Sequence, residues 1–115
     1  VFSKNQKIKK KKDFEELFKK GMRQKGFFLS LKIKKNSLGF SRFGSVISKK
    51  VSKKAVERNK IRRRIYGIMQ KDFMDKVKKG WDILFIVSPS IKDKKGKELE
   101  EIMKESFEEF DLLCK

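Results

Sequence analysis

The longest apolar run, ILFIV within DILFIV at residues 82–87, stands in a chain in which 42% of residues are charged. Uninterrupted apolar character over strand length predicts a strand buried on both faces, here closed by Pro89. Such a strand has to lie inside a fold, and the surrounding pattern supplies its cover. Residues 13–20, DFEELFKK, place acids in front and lysines behind, with Gly21 at the end, as a short helix and its dipole require. Phe14, Leu17 and Phe18 share one face of it. Residues 27–34, FFLSLKIK, alternate with period two. Phe27, Leu29, Leu31 and Ile33 are expected inward, and Phe28, Ser30, Lys32 and Lys34 outward on a basic, partly aromatic face. After a turn at residues 36–39, a second strand at about residues 43–48 is expected to pair antiparallel with the first.

A long helix over about residues 54–79 carries an apolar stripe of Ile61, Ile65, Ile68, Met69 and Phe73, and Gly67 weakens it by about 1 kcal/mol relative to Ala. Residues 97–114 form a last helix with Leu99, Ile102, Met103, Phe107, Phe110 and Leu113 inward. The order helix, strand, strand, helix, strand, helix reads as a two-layer α+β sandwich in a single domain spanning residues 1–115. Residues 1–12 form a basic, flexible arm, either a solvated tail or a contact to phosphates.

Charge narrows the function. The first 64 residues hold 23 basic and 4 acidic side chains, net +19, and the remaining 51 hold 10 and 11, net −1. Nucleic acid is the leading partner for such a surface, with an anionic membrane surface second. No apolar stretch approaches a membrane span or a signal-peptide core. One Cys excludes an intramolecular disulfide framework and a cysteine zinc cluster, and the absence of His excludes a Ser–His triad and a histidine metal site. These features point to a soluble protein of the reducing cytoplasm, without a membrane partner.

Residues 48–66, SKKVSKKAVERNKIRRRIY, carry the chemistry. The chain has 27 Lys and 6 Arg, yet Arg58, Arg62, Arg63 and Arg64 fall within seven residues. The guanidinium fork binds phosphate bidentately and stacks on bases, which an ammonium cannot do. Asn59, a weak helix former on a charged face, both donates and accepts hydrogen bonds. Phe14 and Phe18, one turn apart beside a Lys/Phe strand face, suit either core packing or a platform for stacked bases, worth about 1–3 kcal/mol per base.

SKK followed by AVERNKIRRRI resembles the signature of the bacterial ribonuclease P protein family, in which a strand ending in Lys-Lys leads into a helix bearing Arg-Asn-x-Ile-Lys-Arg. The matching residues are Arg58, Asn59, Lys60, Ile61, Arg62 and Arg63. DFEELFKKG, residues 44–50 and residues 82–87 resemble the family's first helix, second strand and last strand. Tyr66 and Gly67 stand where Arg and Glu are common, and Ser30 where an aromatic often occurs. The resemblance implies an α-β-β-β-α-β-α-like order, a mostly antiparallel sheet and a left-handed βαβ crossover. It implies that Lys49, Lys50, Lys53, Lys54, Arg58, Asn59, Lys60, Arg62 and Arg63 contact a catalytic RNA. A cleft with Phe14, Phe18, Phe28 and Lys32 would hold the single-stranded 5′ leader of precursor tRNA. It further implies that the RNA, with Mg²⁺ bound mainly through it, performs the cleavage, so no catalytic or metal-ligating residue is assigned to the protein.

Other candidates carry less. The carboxylates of residues 98–111 read as a solvated helix face, Cys114 as a buried or inert thiol, Trp81 as a lid on the core and Asp13 as a first-turn acid. The rival readings are a structural ribosomal-type RNA-binding protein and a non-specific DNA-condensing protein; neither needs the Phe14/Phe18 pair.

Overall fold

The computed structural model describes residues 6–114. Its elements are α1 (Lys11–Lys20), β1 (Met22–Gln24), β2 (Leu29–Lys35), β3 (Arg42–Val46), α2 (Ala55–Ile68), β4 (Trp81–Val87) and α3 (Lys97–Glu109). The expected α+β class forms as one mixed four-stranded sheet with three helices. The sheet order is β1-β2-β4-β3. Strand β4 is antiparallel to β2 and parallel to β3.

This order corrects the antiparallel pairing expected between β2 and β3. The apolar β4 run needs a neighbour on each side as well as cover on both faces, so it inserts between them. The β3–α2–β4 crossover delivers it there. The short β1, which pairs antiparallel with β2, has no counterpart in the periodicity of the sequence.

Alternation along the strands sorts the sheet into two faces. Leu29, Leu31, Ile33, Phe43, Ile83, Phe85 and Val87 point to the main core with Ile61, Ile65 and Met69 of the α2 region and Leu99, Met103 and Phe107 of α3. The other face holds a small cluster of Ile8, Leu17 and Leu84, flanked by Phe14, Val46 and Ile86.

Boundaries differ from expectation in physically informative ways. Helix α1 starts at Lys11, and Ile8 is buried with its N–H donating to the Phe43 carbonyl at 2.9 Å. Residues 1–5 of the basic arm lie outside the described residues. Strand β2 begins only at Leu29, so Phe27 escapes the alternation and is 76% exposed. Ser30 is buried instead, its Oγ accepting the Gly26 N–H at 3.2 Å. The long helix ends at Ile68 and continues as a π-helical turn over Met69–Phe73, keeping Met69 and Phe73 in the core. Helix α3 stops at Glu109, and Cys114 is exposed. No helix among the described residues is long and apolar enough to cross a membrane.

Candidate nucleic-acid interface

On the α1 face the strand register lines up three rows across β2, β4 and β3: Ser30–Ile86–Val46, Lys32–Leu84–Gly44 and Lys34–Asp82–Arg42. Helix α1 crosses the strands over the middle row. Its Phe14 end lies on Gly44, where a Cβ would sit 3.0 and 3.1 Å from Phe14 ring carbons and 3.2 Å from a Leu84 methyl. Its Phe18 end meets Lys32, whose ammonium donates to the Phe18 carbonyl and lies 5.0 Å from the ring centroid. Glycine at position 44 therefore sets how closely the aromatic helix approaches the sheet.

The third row anchors the start of α1. Arg42 donates from Nε to Asp82 Oδ1 at 2.9 Å, from Nη2 to Asp82 Oδ2 at 2.7 Å, and from Nη1 to Asp13 Oδ2 at 3.2 Å. Asn36 Nδ2 donates to the same Asp82 at 2.8 Å. Lys34 pairs with Glu16 at 3.5 Å. The Asp82 hydrogen bond, against the opposing effect of burial, raises the Arg42 guanidinium above its ordinary pKa, so it stays charged. One fork thus ties β3, β4 and the first turn of α1 together, with Asp13 next to Phe14. Arg42 and Gly44 were not among the residues singled out from the sequence. Pairing across 40 residues leaves no local pattern, and a lone charge at a strand start was the only signal.

The four predicted cleft residues separate. Phe18 is 41% exposed and carries Lys32, whereas Phe14 is half-buried against the small cluster, so core packing holds for Phe14 and leaves the Phe18 ring at the surface. Phe28 does not join them. Because β2 starts after it, its ring packs on the main core with Lys94 5.2 Å from its centroid, in a groove shared with α3.

The second basic region is the approach to α2. Ser52 is buried; its Oγ accepts the Lys54 N–H at 3.2 Å and donates to Glu57 at 2.8 Å, organising the helix start. The Ser52 hydrogen bond, then Lys92 at 3.3 Å, lowers Glu57 below the ordinary value of 4.5. Arg58 turns back to donate to the Ser52 and Lys53 carbonyls at 2.9 and 3.1 Å. Arg62 donates to Ser45 Oγ at 3.2 Å and to Asn59 Oδ1 at 2.6 Å, and Tyr66 OH lies 3.3 Å from the same Ser45. Arg62, steadied by Asn59, therefore braces the helix on β3, and Arg58 ties it to the loop that precedes it. Among the described residues, the side chains of Lys49, Lys50, Lys53, Lys60, Arg63 and Arg64 have no hydrogen-bond or ion-pair partner, while Lys54 acts on the Glu57 carboxylate through its charge. These are the cations free to meet phosphate, and Arg64 joins them although the family signature does not include it.

A basic sheet-and-helix surface of this kind has known relatives. The Ribonuclease P family model matches residues 2–111. The ribonuclease P protein component of Clostridioides difficile is 34% identical over 111 residues, covering 96% of each chain. That of Pseudanabaena is 38% identical over 82 residues, covering 70% of each. A solved Staphylococcus aureus RNase P protein, a mutant with defective mRNA degradation activity, superposes with a TM-score of 0.84 at 25% identity, covering 95% of this chain and 91% of that one. The Thermotoga maritima RNase P protein gives 0.71 at 25% identity, covering 90% and 93%. Sequence and fold agree over nearly the whole length, and the chain belongs to the ribonuclease P protein family.

Proposed function

We propose that this chain is the protein component of a ribonuclease P ribonucleoprotein, which binds the catalytic RNA and the 5′ leader of precursor tRNA to assist endonucleolytic 5′ maturation. The observation that carries the reading is α1 laid across the sheet, with exposed Phe18 and half-buried Lys32 at one end and the Arg42 clamp at the other. A single strand is held by cations that follow its phosphates and rings on which its bases stack, and Phe18 with Lys32 offers one of each. The free cations of residues 49–64 form a separate surface for the structured RNA, where each phosphate contact adds to counterion release. The family match leaves the ribosomal-type alternative without support.

The cleavage chemistry is assigned to the RNA, and the isolated protein is not catalytic. Among the described residues no group of three or more His, Cys, Asp or Glu could hold a metal ion. In this reading Mg²⁺ is bound mainly through RNA, and the protein's part is to lower repulsion between two polyanions and to hold the leader. In this reading the protein works in the cytoplasm with its RNA partners.

The test is reconstitution with a ribonuclease P RNA and tRNA precursors of graded leader length. Affinity should rise as the leader lengthens from none to several nucleotides, and the protein alone should leave the precursor uncut. Affinity independent of leader length would remove the leader role, and failure to stimulate the RNA at low salt would remove the reading itself.

A further inference from the structure

Phe27 is the most exposed large apolar side chain among the described residues, at 76%, yet its backbone is held in place. Its carbonyl accepts the Ser90 hydroxyl at 2.8 Å, and the Phe28 carbonyl accepts the Ser88 N–H at 3.1 Å. The Phe27 ring meets Phe28 edge-on, with centroids 4.8 Å apart. The two rings form one wall of a groove of about 340 Å³ on the sheet face opposite α1. Ile102 lies on the other wall, and Glu101, Glu105 and Glu109 stand on the rim. Gln24 of β1 donates to Glu109 and fixes one end. An aromatic ring held out in solvent beside an apolar groove with a polar rim is the kind of patch that a protein partner covers.

The local charge says which partner. The chain carries +18, but α3 has six Glu against two Lys. RNA is repelled from this helix, and two copies at +18 repel each other, so the surface fits a cationic segment of a different protein. The adjoining turn shows how a lysine is held here. Lys94 lies 5.2 Å from the Phe28 centroid and pairs with Glu98 at 3.1 Å, so it uses a ring and an α3 carboxylate together. Glu101 and Glu105 follow Glu98 on the same helix face, and Phe27 adjoins Phe28. The same pairing of ring and carboxylate is thus presented a second time, facing outward.

We propose that the groove between Phe27 and α3 docks an extended, lysine-rich segment of another protein. Side chains of an extended strand alternate, so apolar residues would cover Phe28 and Ile102 while the intervening lysines meet Phe27 and the Glu101/Glu105 rim. Docking there leaves the α1 face and the cations of residues 49–64 open to RNA, and it does not rest on the ribonuclease P reading.

The ¹⁵N-labelled full chain is titrated at about 0.15 M salt, where distant charges are screened. The probes are a seven-residue peptide of alternating lysine and leucine, its glutamate–leucine and lysine–serine counterparts, and a six-nucleotide oligoadenylate. Expected are saturable amide shifts at Phe27, Ile102 and Glu105 with the lysine–leucine peptide, and binding several-fold weaker or absent for both counterparts. Phe27→Ser and Glu105→Lys alter exposed side chains, so the fold should hold, and each should weaken the peptide by about five- to tenfold. Glu100→Lys makes the same charge change on the side of α3 that faces α2 and should leave the affinity within about twofold. Equal affinity in all three variants, or a glutamate–leucine or lysine–serine peptide bound as tightly, would overturn the proposal. So would groove shifts produced by the oligoadenylate, which would make nucleic acid the occupant, or a dimer in sedimentation that Phe27→Ser abolishes, which would make it a second copy.

Discussion

Gly44 and Phe14 touch so closely that neither can change alone. Adding one methyl in Gly44→Ala requires the Phe14 ring and the Leu84 methyl to give way by a few tenths of an ångström, and both are held by the small cluster. Overpacking of this kind costs about 1–3 kcal/mol, measurable as a lower urea midpoint, and it should also blunt the preference for longer leaders. Arg42 fixes the same turn by charge. Arg42→Gln leaves Asp82, a carboxylate whose side chain is 12% exposed, without its bidentate partner. After discounting for partial exposure, a loss of about 2–3 kcal/mol is expected, with Asp82→Asn intermediate because its amide keeps part of the network. Glu57 sets a pH dependence. Its folded pKa lies below its ordinary value, so its contribution is complete above that value and fades as pH falls through the folded pKa. The stability difference between the wild type and Glu57→Gln should therefore be constant near neutrality and shrink below about pH 4.5, followed by urea melts across the acid range.

At the scale of elements, α2 divides its cations between two tasks. Arg58 and Arg62 commit theirs to carbonyls and to Ser45, so their alanine variants should lower stability and affect RNA binding mainly through that effect. Arg63 and Arg64 are unpartnered, so their alanine variants should leave the melting curve unchanged. The slope of log affinity against log salt should then fall by about 1 for each phosphate that is no longer neutralised. Equal slopes across all four variants would contradict that division. Helix α1 and the core stripe of α2 are readable from sequence because charge order at helix ends and a 3.6-residue stripe are local signals. Which arginines are free is not, since Ser45 and Arg62 meet across 17 positions. Nor does alternation place Phe27, Phe28 and Ser30, because the period applies only once a strand has begun, and β2 begins two residues later than the apolar pattern suggests.

At the scale of the molecule, the apolar run of residues 82–87 becomes the strand that organises the sheet. Its double burial was legible, and its position between β2 and β3 was not, because period and length say nothing of partner choice. The arrangement also orders events during synthesis. Strands β2 and β3 share no pairing with each other and meet only through β4. The whole +19 half of the chain is thus synthesised before the strand that joins its two longer strands into a sheet. Until residue 87 emerges, that strongly basic half lacks the strand on which both β2 and β3 pair. The nearly neutral second half does more than complete the core: its arrival converts a chain that would cling to any RNA into one with a defined surface.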